Sequence, residues 1–407
     1  MTTAWSDVVG AEFARPGRWE DAVDGVVPAW VLRPGTVAEV QAIVREGPAL
    51  VASGLGAHLD RGAPPRRFDV LVRLDRLGRI VDHQAADMTV TVEAGCSLAT
   101  VQATLAAAGQ WLPIDPPRPE ATTVGGMLAA DLSGPLRASQ GTARDLVIGL
   151  RVVGGDGALV SSGGKVVKNV AGYDLSKLHL GALGSVGVIV EATFRVRPRP
   201  EREEAVVVPC ARPADLALVV RDAVEPMWLE VAGAGVLDGG PALVVGLAGI
   251  AAEVEHAAAR VADVASGGHR LSDGAAMRAH LAGFDAEPAA ALLTASALPA
   301  DTGAVMDAVA DAARTTGAGV RMLAHAANGV VRVAVADAAP VGSLVALLRP
   351  QLAGMGGTVV VARASAAAKA GVDVWGEVGP GLSLMRALKT TFDPRDILSP
   401  GRFVGGM

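Results

Sequence analysis

Four short stretches almost free of bulky side chains, each set against an apolar run, restrict what this chain can fold into. The first, Ser53-Gly54-Leu55-Gly56-Ala57-His58, follows the strand-like run Ala49-Leu50-Val51-Ala52. Glycine accepts positive φ there and lets main-chain N–H groups approach an anion closely. Upstream, Pro34-Gly35-Thr36 precedes apolar residues at helical spacing from Val37 to Val44, and Thr36 with Glu39 has the capping-box form. A helix leading to a strand that ends in a small-residue loop suits a phosphate. The loop is not a Walker A sequence, because no Gly-Lys-Ser/Thr follows, and it is not a GxGxxG turn. Taken alone it reads more simply as a strand-end turn, and His58 as a polar loop residue.

The second stretch is more informative. Leu112-Pro113-Ile114-Asp115-Pro116-Pro117 is extended and stiff, since each proline restricts itself and the residue before it. Thr122, Thr123, Gly125 and Gly126 then lie just ahead of an apolar, helix-like run to Ala130. Such a helix start presents N–H donors and a positive dipole end, which favours a pyrophosphate or a ring carbonyl, although a plain capped helix has the same pattern. The third cluster comprises Gly134, Gln140-Gly141-Thr142 and Arg144-Asp145. It leads into the apolar run Leu146–Val153, a hairpin-type turn at Gly154–Gly157 and a second strand from Ala158. The fourth, Gly181 to Gly187, enters the β-branched run Val188-Ile189-Val190 and can lay the backbone along a flat ring.

A length of 407 residues suffices for two buried cores. Pro198-Arg199-Pro200 followed by Glu201-Arg202-Glu203-Glu204 reads as a boundary. From Ala205 to about Gly371, strand-like pieces such as Ala205–Val208 and Val330–Val335 alternate with Ala-rich amphipathic helices, which predicts an α+β unit. A helix near Leu384 is stopped by Phe392-Asp393-Pro394. The net charge of -6 argues against a nucleic-acid partner, which would need a basic face. Cys96 and Cys210 are too few for a four-thiolate iron–sulfur cluster. Met1–Gly10 lacks the apolar core of a signal peptide, and apolar stretches such as Ala242–Ala252 are Gly-broken and too short to span a bilayer. The expected location is the cytoplasm, with any link to the inner face of the cell membrane made through a partner.

In this order the motifs are recognisable. Ser53–His58, Asp115-Pro116, Thr123–Gly126, Gly141–Asp145, Lys168–Leu175 and Gly184–Ile189 together resemble the FAD-binding domain of the vanillyl-alcohol oxidase/p-cresol methylhydroxylase superfamily. The resemblance spans about residues 26–200, and the tail Phe392–Phe403 is similar to the superfamily's C-terminal return. Within it, the run Gly163–Leu178 is most similar to the E-type flavoprotein subunits of glycolate oxidases. The resemblance implies an α+β fold: a two-subdomain FAD-binding domain over 1–200, an α+β cap domain over 201–383, and a segment, 384–407, that returns to the FAD domain. It implies FAD held by Ser53, Gly54, Leu55, Gly56, Ala57, His58, Pro116, Thr122, Thr123, Gly125, Gly126, Gly134, Gly141, Asp145 and Ile189. Relatives with covalent flavin place a His inside the first glycine loop. Here His58 lies beyond that position, so noncovalent FAD is expected.

Relatives acting on 2-hydroxy acids carry Arg-Lys-Asp-Asn-Thr-Gly-Tyr-Asp, in which Arg and Thr hold the substrate. Here Val167 stands at the Arg and Ala171 at the Thr, so a carboxylate loses its bidentate partner. Lys168, Tyr173 and Arg332 are the remaining catalytic candidates. The relatives' metal-binding His residues have counterparts in His325, Arg332 and Val378, with Glu377 retained. Two donors do not hold a divalent ion, so no catalytic metal is expected and His325 reads as structural. The implied role is an FAD-binding subunit of a glycolate oxidase-like complex, beside a catalytic FAD-binding paralogue and an iron–sulfur subunit, with a small 2-hydroxy acid as substrate. Two alternatives stand: an autonomous dehydrogenase of another hydroxy acid, and a non-catalytic scaffold.

Overall fold

The computed structural model describes residues 5–164 and 175–407. β1 (Ala14–Pro16), β2 (Trp30–Leu32), β3 (Leu50–Ser53) and β4 (Val70–Arg73) form a four-stranded sheet in the order β1-β2-β4-β3. β2, β4 and β3 run parallel, and parallel neighbours need a crossover. The helix Val37–Glu46 supplies it, burying Val40, Ile43 and Val44. Its start follows the sequence signal in part. Thr36 Oγ1 accepts from the Glu39 N–H at 3.2 Å, but the Glu39 carboxylate reaches back to the Gly35 N–H instead of that of Thr36.

A second sheet is antiparallel and draws on β5 (Ile80–Gln84), β6 (Thr89–Glu93), β8 (Val147–Val153), β9 (Leu159–Gly163) and β10 (Val188–Arg195), in the order β5-β6-β10-β8-β9. The turn between β8 and β9 is the Gly154–Gly157 hairpin, with Gly157 at φ 77. β7 (Gln110–Trp111) and β11 (Arg197–Pro198) make a small separate pair. One apolar core joins the two larger sheets, from Leu32, Ile43 and Leu50 through Val92 and Met127 to Phe194.

The third sheet has eight strands, all from residues 202–364. They are β12 (Arg202–Pro209), β13 (Trp228–Ala232), β14 (Ala242–Gly249), β15 (His269–Leu271), β16 (Ala291–Ser296), β17 (Val320–His325), β18 (Val330–Val335) and β19 (Thr358–Ala364), ordered β15-β12-β14-β13-β17-β18-β16-β19. Strand side chains alternate between faces, and the two faces here have different neighbours. Leu229, Val231, Val331, Val333 and Val335 pack with the helices Pro213–Val224, Ala251–Ala265, Thr302–Thr316 and Val341–Gly354. Trp228, Ala232, Leu323 and Ala334 point the other way and join Leu136 and Trp111 of the N-terminal part. The same alternation puts Glu230, His325 and Arg332 on that inner face.

The helix Leu382–Phe392 ends where Phe392-Asp393-Pro394 predicts. Beyond it Leu398 lies beside Leu50 as a parallel bridge: the Leu50 N–H donates to Ile397 O and the Ser399 N–H to Leu50 O, both at 2.8 Å. The segment is locked by buried Lys389, which donates to Ser185 O, Leu398 O and the Asp393 carboxylate. Among the described residues no helix is long and apolar enough to cross a membrane.

Candidate functional site

Strand β3 delivers the first small-residue loop into a cleft between the two N-terminal sheets. Residues 53–58 line it together with Thr123, Gly125, Gly126, Leu183, Gly184, Val188, Ile189 and Arg402, around about 760 Å³ of atom-free space partly open to solvent. Among the described residues the N–H groups of Gly54, Leu55, Gly56 and Ala57 meet no acceptor. Unpaired main-chain donors in a partly buried loop are a site for an anion. The glycines are dictated by space. A Cβ on Gly54 would lie 2.1 Å from Thr123 Oγ1, and one on Gly125 would lie 2.8 Å from Ala94 Cβ.

The loop is braced from three directions. Arg118 donates to Ala57 O at 2.6 Å, and Arg402 to Leu59 O at 2.9 Å and Arg61 O at 2.5 Å. His58 Nε2 meets Thr122 Oγ1 at 2.8 Å. The Thr122 hydroxyl gives its own proton to Pro117 O, so it must accept from Nε2–H, which leaves Nδ1 without a proton in the neutral ring. Burial, reinforced by Arg61 and Arg118, pushes His58 down to about 3, so the ring is neutral at physiological pH. The opposite wall is the helix Val124–Ala129. Thr123 caps it by accepting from the Gly126 N–H at 3.2 Å, while the Gly125 N–H is spent on Ala94 O.

The cleft thus gathers Ser53–His58, Thr123, Gly125, Gly126 and Ile189, with Thr122 fully buried behind His58. Other candidates lie elsewhere. Pro116 lines a second groove with Asp115, Arg118, Arg199 and Arg278. Gly134 packs on Asp115, whose carbonyl oxygen would be 2.1 Å from an added Cβ. Gly141 and Asp145 belong to a capping turn in which Asp145 Oδ2 accepts from the Thr142 N–H at 2.7 Å. Lys168 and Tyr173, with Val167 and Ala171, fall outside the described residues. Sequence reasoning does not single out Arg73, at the end of β4 beside Ser53. Its Nε is buried without an acceptor, and Nη2 lies 3.4 Å from the place of a Cβ on Gly56.

The eight-stranded sheet presents its polar residues toward this region. Arg332 Nε donates to Asp285 at 2.8 Å, and its other nitrogens engage Asp285 and Thr294. Burial would raise the Asp285 carboxyl, but Arg332 and Arg61 outweigh it and hold it below its ordinary value. His325 Nδ1 sits 2.8 Å from Glu230 Oε1, and this pairing raises the ring's pKa against the effect of burial. Glu377 is exposed, and among the described residues no three His, Cys, Asp or Glu side chains converge as a metal site.

Residues 28–163 match the FAD binding domain family, and residues 375–403 match the C-terminal domain of FAD linked oxidases. The chain is 39% identical over 163 residues to the glycolate oxidase subunit GlcE of Escherichia coli, covering 40% of this chain and 46% of that protein. It is 36% identical over 177 residues to a D-2-hydroxyglutarate dehydrogenase of Xanthomonas citri, covering 42% and 38%. It therefore spans less than half the length of these curated relatives. The whole fold is similar to that of 4-ethylphenol oxidase from Gulosibacter chungangensis, with a TM-score of 0.73 at 16% identity over 98% of this chain and 95% of that one. An alkyldihydroxyacetonephosphate synthase gives 0.68 at 20% identity, over 93% and 78%. The glycine-lined cleft and the two matched segments agree: residues 28–163 form an FAD binding domain and residues 375–403 carry the C-terminal signature of the FAD linked oxidases, on a fold shared with 4-ethylphenol oxidase.

Proposed function

We propose that this chain is the FAD-binding subunit of a glycolate oxidase-like complex that oxidises a small 2-hydroxy acid, glycolate to glyoxylate, and passes electrons to an iron–sulfur partner. The observation that carries this reading is the cleft of unpaired loop amides closed by Thr123 and Gly125, which suits a diphosphate with a flat ring beyond it. The names of the relatives, a glycolate oxidase subunit and hydroxy-acid dehydrogenases, supply the substrate class. Bound FAD supplies a two-electron acceptor with single-electron exit.

In this reading Ser53–His58 hold the diphosphate with Arg73 as counter-charge, Thr123, Gly125 and Gly126 close over it, and Ile189 meets the ring system by its backbone. FAD is noncovalent in this reading, since His58 lies beyond the loop position at which covalent relatives carry their His. Residues 1–200 act as the FAD domain, 201–383 as the cap, and 384–407 as the returning segment. Arg332, committed to Asp285, acts by positioning rather than as an acid or base. With two cysteines the chain has no thiolate cluster of its own, which favours an iron–sulfur subunit and a catalytic paralogue as partners in the cytoplasm.

The isolated chain is expected to show flavin absorbance with about one FAD per chain and little turnover of glycolate or D-lactate with an artificial acceptor. Robust turnover by the chain alone removes the need for partners and favours an autonomous dehydrogenase. A chain that neither purifies with flavin nor takes it up is a scaffold.

A further inference from the structure

Arg61 is mostly withdrawn from solvent, and its Nε is fully buried with no hydrogen-bond partner. Its guanidinium forms no ion pair among the described residues. Its surroundings are charged: the nearby carboxylates face other cations, and Asp60 Oδ1 is itself buried without a hydrogen bond. Its chain neighbour Asp60 accepts the Ala364 N–H at its carbonyl and faces Arg363 at 3.8 Å. Arg363 in turn donates to Asp285 O at 2.9 Å and to Glu287 O at 2.7 Å. Arg332 takes the Asp285 carboxylate. Three guanidiniums thus share two carboxylates, and Arg61 is the one left over. A guanidinium stays protonated, and burying it unpaired is unfavourable, so the site lacks an anion.

The position of this cation is informative. Arg61 lies three residues beyond the end of the glycine loop, and its carbonyl is held by Arg402, which lines the cleft. Next along the chain, Gly62 packs on Leu183, another cleft residue. Arg332 and His325 come from the inner face of the eight-stranded sheet. The free charge therefore lies where the cleft meets that sheet.

We propose that Arg61 is the carboxylate anchor of this chain, its fork of N–H groups taking the carboxylate of a small 2-hydroxy-acid anion. This rests on the hydroxy-acid reading above, and it supplies from the first loop the bidentate cation that Val167 lacks.

The test titrates the full chain, with its flavin, with oxalate, glycolate and uncharged ethylene glycol, followed by flavin difference absorbance and by calorimetry. Both carboxylates bind and ethylene glycol does not. Arg61→Met weakens the carboxylates roughly tenfold to a hundredfold, the ratio expected for losing hydrogen bonds to a charged group. FAD content is unchanged. Arg61→Lys, which keeps the charge and loses the fork, falls between. Oxalate affinity unchanged in Arg61→Met overturns the assignment, as does a parent chain that holds FAD but binds neither carboxylate. Should Arg61→Met fail to fold, unchanged oxalate affinity in Arg61→Lys overturns it instead. Calorimetry needs no flavin, so a chain that lacks FAD still tests Arg61 separately from the cofactor reading.

Discussion

Gly54→Ala isolates the contact on which the cofactor cleft turns. An added Cβ would lie 2.1 Å from Thr123 Oγ1 and 2.5 Å from its Cγ2. Ordinary contacts start at about 3.5 Å, so the loop or the helix start must shift by roughly 1 Å. Thr123 is 2% exposed and its hydroxyl caps the helix, so it has no free rotamer to move into. Overpacking of this kind costs about 1–3 kcal/mol. If the shift is taken by the loop whose amides are proposed to hold the diphosphate, FAD affinity falls roughly 5-fold to 150-fold at about 1.4 kcal/mol per decade. The assay is reconstitution of apoprotein with FAD, read by quenching of flavin fluorescence, with thermal unfolding alongside. Two companions sharpen it. Gly283→Ala, where a Cβ meets nothing within 4 Å, leaves FAD affinity unchanged. Adding Thr123→Gly to Gly54→Ala removes Oγ1, Cγ2 and the Thr123 Cβ that also lies 2.8 Å away, and recovers most of the affinity, less about 0.5 kcal/mol for the weakened cap. FAD binding within twofold of the parent in Gly54→Ala, or no recovery in the double variant, refutes the reasoning.

Arg73→Met weakens ADP and FAD binding about tenfold and leaves riboflavin unaffected, because riboflavin lacks the diphosphate; equal losses for all three ligands contradict a role at the phosphates. His58, with a folded pKa of about 3 against the ordinary 6.5 of an imidazole, takes up its proton first in the unfolded chain. Its contribution is therefore complete above about pH 6.5 and is lost as the pH falls toward 3. Urea unfolding at pH 7.5 and 4.5 should show a smaller pH penalty in His58→Asn than in the parent. His179, pushed down to about 4 by burial, adds the same sign to both and cancels in the comparison. Lys369 and Asp24 pair at 2.7 Å with almost no exposure, so Lys369→Met destabilises by about 3–5 kcal/mol in urea, whereas Lys369→Met with Asp24→Leu recovers much of the loss.

The parts of the site that are continuous in sequence can be read from it. The Thr123 cap, the Ser53–His58 loop and the Gly181–Val190 turn are each local, because backbone demands such as space and helix starts leave marks on neighbouring residues. The site's charged groups leave none. Arg73 closes an ordinary strand, and Arg61 sits in a loop of mixed polarity; only the folded chain shows that the Nε of neither finds an acceptor. Glu230 and His325 are 95 residues apart on strands that read as apolar, and the strand order that brings them together cannot be deduced from strand content. The family resemblance marks Gly134 and Gly141 as cofactor positions. The structure gives both a packing reason, against Asp115 and Asp145.

The strand that carries the first glycine loop takes its outer neighbour from Leu398, and the loop's far end is clasped by Arg402 across 343 residues. A nascent chain therefore exposes a half-built cradle until residues 397–402 have been made. A chain cut short before residue 397 is expected to lack both the outer neighbour of that strand and the Arg402 clasp, however well its first lobe has formed.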